Sequence, residues 1–209
     1  MNKQKVFDFN FNKNEKKINF YINSTNIDAY NGVIYSNNIN KFLVGPNKSG
    51  KSYLANMWLK KNNAIIFNNN FDFLINNKNN ILIENINSSF DEEKLFHILN
   101  HSKLYNLNIL ITSSYEINDI KFLLKDLISR LKIFNHLKIH QPDDDMLINL
   151  MTKFFIEKQF IINSYEIFQY ILNQTNRSYE NILNIVTKLD TLSLEKKRQL
   201  TIPLIKEIL

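Results

Sequence analysis

The feature that most constrains the fold is a short glycine-bounded segment that matches the pattern G-x-x-x-x-G-K-[ST]. It follows an apolar run that ends at Val44, and it opens a stretch in which Leu54 and Trp58 recur at helical spacing. Two of the three glycines in the chain occupy its two required positions. The segment consists of Gly45, Pro46, Asn47, Lys48, Ser49, Gly50, Lys51 and Ser52.

A loop of this kind, placed between a strand and a helix, binds phosphate through its backbone amides, and the glycines allow the backbone to fold around the anion. Lys51 is expected to reach the β- and γ-phosphates, and the Ser52 hydroxyl is expected to hold Mg²⁺. We therefore predict ADP or ATP with Mg²⁺ as the bound cofactor, contacted by the whole segment and by the adjoining Tyr53. The alternative is an ordinary strand-to-helix turn.

Short β-rich runs alternate with helical runs up to about His140, and the remaining residues have only helical spacing. Fully apolar runs are typical of strands buried on both faces of a parallel sheet. Such runs lie at 64–67 and 81–83, and further strands are expected at 41–44, 108–112 and 136–140. The pattern predicts an α/β fold, a three-layer parallel sheet with right-handed crossovers, followed by a small helical bundle.

The third strand leads directly to Glu84 and Asn85. Phosphate-loop ATPases usually place an acid for the Mg²⁺ shell after such a strand, and many have a second acid that polarises the attacking water. Glu84 can serve the metal, whereas Asn85 cannot accept a proton. The sequence therefore predicts a protein that holds nucleotide and hydrolyses it poorly by itself.

Composition excludes several other classes of protein. The absence of cysteine excludes disulfides and thiolate metal sites. No stretch approaches the roughly 18 apolar residues of a membrane-spanning helix, so we expect a cytoplasmic protein without membrane contact. The net charge of +6 is compatible with an acidic partner such as nucleic acid but does not require one.

Three polar clusters have a simple structural interpretation beside a functional one. Asp143, Asp144 and Asp145 fit the start of a helix better than a metal site. His97 and His101 have zinc-like spacing on a predicted helix but no third ligand, which favours surface histidines. The basic run 196–198 could contact DNA, although a solvated turn before the last helix is the default.

Several segments together resemble the Hda proteins, which are relatives of the bacterial replication initiator DnaA and consist of its AAA+ part without its DNA-binding domain. The resemblance implies an AAA+ phosphate-loop module at 15–141 and a helical lid domain at 142–209. The closing segment is its most specific part. The segments are 126–131, 141–144, 176–178, 200–209 and the continuation of the phosphate loop through Leu54, Ala55 and Trp58.

What the resemblance implies is regulatory inactivation of DnaA, and so inhibition of replication initiation. Such proteins bind the DNA-loaded sliding clamp and promote hydrolysis of ATP held by DnaA. Arg130 matches the arginine finger that acts in the partner's site, and Arg177 matches the sensor-two arginine of the lid. The alternative for Arg130 is a cation at the end of a helix, and the alternative for Arg177 is an ordinary surface arginine. Sensor one falls within residues 112–114, with its hydroxyl unassigned, and a homodimer is left open.

The N-terminal segment 1–14 resembles the clamp-binding tail of this family. Gln4 can hydrogen-bond at the rim of an apolar pocket that Phe7 and Phe9, on one side of an extended chain, would fill. Lys5 stands where leucine is usual. Taken without the rest of the chain, the same residues would be a first β-strand.

Two alternative functions belong to other classes of protein, an enzyme and a binding protein. One is a self-sufficient phosphate-loop ATPase of the helicase-loader type, which would need an acid at Asn85. The other is a DnaA-related scaffold that uses only its clamp-binding peptide. Arg130 separates them from the favoured hypothesis, because only that hypothesis requires its guanidinium in a neighbouring nucleotide site.

Overall fold

A computed structural model of the chain describes residues 20–37, 40–68, 77–162 and 164–209. Within these residues, five strands form one parallel sheet of order β2-β3-β4-β1-β5. The predicted α/β sheet is therefore confirmed. The strands are β1 (Asn40–Val44), β2 (Ile65–Ile66), β3 (Ile81–Ile86), β4 (Ile109–Ser113) and β5 (Asn135–Lys138).

Helices cover both faces of this sheet and continue beyond it. Four lie in the sheet portion and four follow residue 143 in the part of the chain described. A short 3₁₀ turn, Ile117–Asp119, follows β4. The helices are α1 (Ile27–Ile34), α2 (Lys51–Lys61), α3 (Glu92–Leu104), α4 (Lys125–Leu131), α5 (Asp144–Glu157), α6 (Glu166–Gln174), α7 (Tyr179–Lys196) and α8 (Ile202–Ile205).

Alternate side chains of each strand point to opposite faces, which divides the core into layers. Phe42 and Val44 pack with α3 and α4 on one face, whereas Leu43 packs with α1 and α2 on the other. A third cluster lies among α5, α6, α7 and α8. Met146 and Tyr179, near the starts of α5 and α7, belong to the α1–α2 layer, so the helical bundle packs against the sheet portion.

Three helices differ from the sequence expectation, in which helical spacing predicts helices at 178–189 and 202–209. Helix α1 was not predicted, although it buries Ala29, Tyr30 and Val33 against the sheet. The last helix was expected to run to Leu209 but ends at Ile205, after which the chain forms a turn with bonds such as that from the Ile208 amide to the Ile205 carbonyl. The α7 helix is correspondingly longer than the predicted 178–189.

Asp143 joins the sheet portion to the helical bundle. Its carboxylate accepts the Met146 amide at 2.7 Å, capping α5, and also accepts Asn23 Nδ2 at 2.9 Å. Neighbouring Asp145 accepts the Tyr21 hydroxyl at 2.7 Å, and burial together with this bond raises the pKa of Tyr21 to about 12. The capping interpretation of this acidic run is confirmed, and no metal-binding cluster of three acidic or histidine side chains occurs among the described residues.

We expect Asp143→Ala to lower the free energy of unfolding by about 1–2 kcal/mol, because the α5 amide loses its cap and Asn23 loses its acceptor. Asp28→Ala is the matched control: Asp28 is exposed in the first turn of α1, whose N-cap makes no side-chain bond, so its loss should change stability by less than about 0.5 kcal/mol. Urea unfolding followed by circular dichroism measures both. Equal effects of the two substitutions would contradict the role given to Asp143.

Candidate nucleotide-binding site

The phosphate loop begins where β1 ends, and β1 is an interior strand that lies next to the edge strand β5. Val44 is paired with Ser113 of β4 on one side and Lys138 of β5 on the other, so the loop leaves the carboxyl edge between two strands. Ligands of open α/β sheets bind at this edge, where the strand order reverses. The loop turns through two left-handed residues, Lys48 (φ 61°) and Gly50 (φ 91°), the second of which is the N-cap of α2.

Both glycines of the loop are required by close packing. A Cβ on Gly45 would lie 2.9 Å from Ile139 Cβ and 3.1 Å from Ser49 Oγ. A Cβ on Gly50 would lie 2.6 Å from the Phe20 ring, in a conformation that L side chains rarely adopt. A larger residue at either position would therefore displace the loop backbone or its neighbours.

Lys51 places a buried positive charge inside the loop. Its side chain is only 6% exposed, and Nζ donates at 2.8 Å to each of the Gly45 and Pro46 carbonyls. A longer bond of 3.2 Å reaches Ser114 Oγ. These partners are all neutral oxygens, and burial lowers the pKa of the ammonium. An anion at this position would compensate the charge.

Of the three hydroxyls considered for sensor one, Ser114 is the one that contacts the phosphate loop. Its Oγ donates to Asn47 Oδ1 at 2.9 Å and accepts from Lys51. Thr112 instead accepts the Asn85 amide at 3.0 Å, and Ser113 donates to the Ile86 carbonyl at 2.8 Å. The structure thus separates a loop-facing hydroxyl from two that join neighbouring strands.

Two enclosed oxygens near the cradle lack hydrogen-bond partners. They are Ser49 Oγ, within the loop, and Oε1 of Glu84, a partly buried residue towards the end of β3. An enclosed carboxylate oxygen without a partner is costly unless it binds a cation or water. Glu84 and the exposed Ser52 supply the oxygen ligands that Mg²⁺ accepts beside phosphates and waters. The donor set therefore fits the predicted metal.

Asn85 follows Glu84 in a left-handed conformation with φ 57°. The strand register shifts between Ile83 and Ile86, so Asn85 lies at an irregularity of β3 and is exposed. The position at which many ATPases carry a second acid therefore presents an amide to solvent.

The lid approaches the loop through the first turn of α7. Asn47 Nδ2 donates to Glu180 Oε2 at 3.4 Å, a contact between residues 133 positions apart. Arg177 lies just before Ser178, the N-cap of the same helix, and pairs through Nε with Asp144 at 3.3 Å. The predicted lid arginine is thus near the contact between lid and loop, half exposed and paired with an acid.

Arg130 lies elsewhere, near the end of α4. It is half-buried, its Nη1 donates to Asn100 Oδ1, and its guanidinium carbon lies 4.4 Å from the Phe96 ring centroid. Both partners belong to α3. Arg130 therefore sits apart from the phosphate loop that its own chain carries.

Phe20 was missed by sequence reasoning, since a single phenylalanine after an Asn- and Lys-rich stretch carries no signal. Its ring covers Gly50 and stacks on Tyr53 with centroids 5.6 Å apart and an interplanar angle of 6°. On its other side it stacks on Tyr30 at 6.2 Å. Tyr53, expected to contact the cofactor, thus belongs to an aromatic row beside the loop.

The two histidines with zinc-like spacing differ in their exposure. His97 is exposed, as predicted, but the prediction of a surface residue is wrong for His101, which is buried against Tyr105 with ring centroids 4.8 Å apart. Gln4, Phe7 and Phe9 lie outside the described residues. Within the described part of the chain, no helix combines the length and apolar character needed to cross a bilayer.

A parallel sheet of this order, with a phosphate loop after β1 and a helical bundle at the carboxyl end, has the AAA+ fold. Residues 157–209 match the family model of the Hda lid domain. The fold is therefore similar to that of DnaA, and the lid is similar to that of Hda proteins, in agreement with the sequence resemblance. No curated protein matches it.

Solved structures of replication initiators share the fold. Domain III of Thermotoga maritima DnaA matches with TM-score 0.75 and 16% identity over 91% of this chain and 93% of that one. AMPPCP-bound DnaA from Aquifex aeolicus matches with TM-score 0.67 and 18% identity over 86% and 67%. A DNA replication initiation factor matches with TM-score 0.69 and 16% identity over 86% of this chain, which spans 66% of its length.

We expect Lys51→Ala to weaken ADP·Mg²⁺ binding by about 10- to 100-fold, since a charge-assisted contact to phosphate is lost. Lys60→Ala removes the same charge from an exposed position in the last turn of α2, outside the phosphate loop. That control should bind ADP almost normally. Isothermal titration calorimetry measures both affinities, and undiminished binding by Lys51→Ala would contradict the assignment of the site.

Proposed function

We propose that this chain is a nucleotide-bound regulator that inactivates the replication initiator DnaA. It binds the DNA-loaded sliding clamp and stimulates, in trans, the hydrolysis of ATP held by DnaA. The observation that carries the proposal is the Hda-type lid at 157–209, joined to a sheet portion with a complete phosphate loop. The proposed division is a clamp-binding tail at 1–14, a nucleotide-binding domain at 15–141 and a lid at 142–209.

In this proposal the protein's own nucleotide, ADP or ATP with Mg²⁺, has a structural part. Lys51 and the enclosed Ser49 hydroxyl would hold its phosphates, and Ser52 and Glu84 would hold the metal. Asn85 supports slow turnover, because an amide cannot take the proton of an attacking water. The contact from Asn47 to the lid supports a role for the nucleotide in setting the lid's position.

Ser114 and Arg177 would contact that nucleotide, Ser114 from the sheet portion and Arg177 from the lid. Ser114 already contacts the loop, which supports it as the sensor-one hydroxyl. Arg177 would reach the phosphates from the lid, exchanging its exposed partner Asp144 for a phosphate oxygen. Such an exchange is inexpensive, since exposed ion pairs stabilise a protein by less than about 1 kcal/mol.

The proposed catalytic contribution belongs to Arg130. Its contacts within the described chain are to an aromatic ring and an amide oxygen, so its charge remains available to a phosphate of DnaA-bound ATP. An arginine finger neutralises charge that develops on the transferred phosphoryl group, and in related systems it raises the rate by about 10³- to 10⁵-fold. This chain then acts on a partner's ATP more than on its own.

Partner binding begins with the N-terminal tail. Gln4, Phe7 and Phe9 would bind the sliding clamp as an extended peptide, with the two rings in one apolar pocket. DNA would be reached indirectly, through the clamp. A homodimer is compatible with the proposal and is not required by it.

The central test is Arg130→Ala in an assay of DnaA ATP hydrolysis with clamp loaded on DNA. Stimulation should fall by about 10³-fold or more, because the developing charge loses its guanidinium. Clamp binding, measured by pull-down, should not change. Lys132→Ala is the control, since it removes one positive charge two residues away at an exposed position. Normal stimulation by Arg130→Ala would overturn the finger assignment.

A second test separates clamp binding from nucleotide binding. Removal of residues 1–10 should abolish capture by the sliding clamp and leave ADP affinity within about twofold, because the phosphate loop is built from later residues. Phe7→Ala with Phe9→Ala should have the same effect in the full-length chain. Retained clamp capture would refute the tail assignment. Rapid ATP turnover by the protein alone would favour the self-sufficient ATPase instead.

A further inference from the structure

We propose that Glu180, in the first turn of the lid helix α7, is a specificity-determining residue of the nucleotide site. Its carboxylate contacts Asn47 of the phosphate loop and opposes phosphate there, most strongly the additional charge of a triphosphate. The role given to Glu180 rests on that part of the proposed function in which the loop holds ADP or ATP. It adds a side chain by which the lid discriminates between the two nucleotides.

A series of hydrogen bonds leads from the buried ammonium of the loop to this carboxylate. Lys51 Nζ donates to Ser114 Oγ at 3.2 Å, and Ser114 Oγ donates to Asn47 Oδ1 at 2.9 Å. Asn47 Nδ2 then donates to Glu180 Oε2 at 3.4 Å. These four side chains are called the polar relay below. Through the polar relay, an acid of the lid is connected to the cation that is expected to bind phosphate.

The polar relay has a charge at each end and neutral groups between them. Ser114 and Asn47 are dipoles, and each donates in the direction of the carboxylate. As long as no anion compensates the Lys51 charge, that charge attracts Glu180. A phosphate bound at Lys51 compensates the ammonium and adds negative charge of its own, so the attraction becomes repulsion.

The backbone of Glu180 is held in place by its neighbours. Tyr179 is buried in the α1–α2 layer, and its hydroxyl donates to the His140 carbonyl at 3.4 Å. Ser178 Oγ accepts the Asn181 amide at 3.2 Å and so caps α7. Because Ser178 provides the cap, the Glu180 carboxylate bonds to the loop instead of to its own helix. Its charge is therefore held beside the position at which phosphate is expected.

The same end of α7 has a base as well as an acid. Arg177 lies three positions before Glu180 and pairs with Asp144 at 3.3 Å, with both partners about half exposed. Of the two charged side chains, Glu180 is the one that contacts the phosphate loop. A phosphate in the loop attracts Arg177 and repels Glu180, so these two charges of the lid act on nucleotide affinity in opposite directions.

The repulsion depends on how much charge the nucleotide brings. A triphosphate has about one more unit of negative charge than a diphosphate, on the phosphoryl group farthest from the nucleoside. At separations on the order of 10 Å in a partly hydrated site, the repulsion between two unit charges weakens binding by about three- to tenfold. The Glu180 carboxylate therefore favours ADP relative to ATP.

The decisive variant is Glu180→Gln, which removes the charge and keeps an oxygen that can accept the Asn47 amide. We expect binding of ATP·Mg²⁺ to tighten by about three- to tenfold and binding of ADP·Mg²⁺ to tighten by less. The ratio of ATP affinity to ADP affinity should therefore rise at least about twofold. Isothermal titration calorimetry on the full-length chain measures both affinities.

Glu166→Gln is the matched control. Glu166 is exposed in the first turn of α6, another lid helix, so the substitution removes the same charge from the same kind of position. Both affinities should equal those of the unsubstituted protein, and circular dichroism confirms that each variant is folded. An unchanged ratio in folded Glu180→Gln, or an equal rise with Glu166→Gln, would overturn the role given to Glu180.

Glu180→Ala separates charge from contact. It removes the hydrogen bond to Asn47 as well as the carboxylate, so a rise in the affinity ratio equal to that of Glu180→Gln assigns the effect to charge. Weaker binding of both nucleotides, with the ratio unchanged in both variants, would show that Glu180 is only a structural contact between lid and loop.

An electrostatic effect of this kind weakens as salt is added. The screening length falls from about 10 Å at roughly 0.1 M ionic strength to about 3 Å at about 1 M. The difference in affinity ratio between Glu180→Gln and the unsubstituted protein should therefore shrink at high salt. A difference that did not depend on salt would contradict discrimination by charge.

The two proposals fail in different ways, because the calorimetry uses no partner protein. If Glu180→Gln leaves the affinity ratio unchanged while Arg130→Ala abolishes stimulation of DnaA, the role of Glu180 is wrong and the proposed function stands. If the ratio rises while Arg130→Ala stimulates normally, the proposed function is wrong and the role of Glu180 stands. Failure to bind either nucleotide would overturn the role of Glu180 together with the assigned nucleotide site.

Discussion

The structure depends on one buried charge, the Lys51 ammonium held between the carbonyls of Gly45 and Pro46. Neutral oxygens satisfy its hydrogen bonds but leave its charge uncompensated, so the loop around it is shaped for an anion. Strand pairing determines the position of the loop, because β1 lies between β4 and β5 and the loop leaves the sheet at the carboxyl end of β1. Ser114, which follows β4, is brought to the same point.

Three cations of the molecule fall into two groups. Lys51 and Arg177 lie in or beside the candidate nucleotide site, whereas Arg130 contacts α3. Lys51 is enclosed by its own loop, and Arg177 lies beside that loop at the start of the lid helix, paired with an exposed acid. Arg130 lies on a helix of the sheet portion, with its guanidinium resting on α3. The proposed function assigns this cation to the nucleotide of a partner and Lys51 to the nucleotide of its own chain.

Features encoded within a few neighbouring residues could be predicted, and features formed by distant ones could not. The strand before Gly45, the phosphate loop and the apolar strands 81–83 and 108–112 were all evident from local pattern. Helix α1 was missed because its few buried side chains follow an Asn-rich stretch that resembles a loop. The contact between Asn100 and Arg130 could not be predicted, because these residues are 30 positions apart and meet only where α3 packs on α4. For the same reason sequence could not choose Ser114 from its neighbours.

The junction between sheet portion and lid explains how a bound nucleotide could affect both. Asp143 caps the first lid helix and accepts Asn23, which belongs to the segment that also contains Phe20. Phe20 lies on Gly50 of the phosphate loop, and Asn47 of that loop reaches the lid at Glu180. The loop is thus connected to the lid by two separate routes. Under the proposed function, a displacement of the loop backbone at the phosphates would act on both connections, which is how the nucleotide would set the position of the lid.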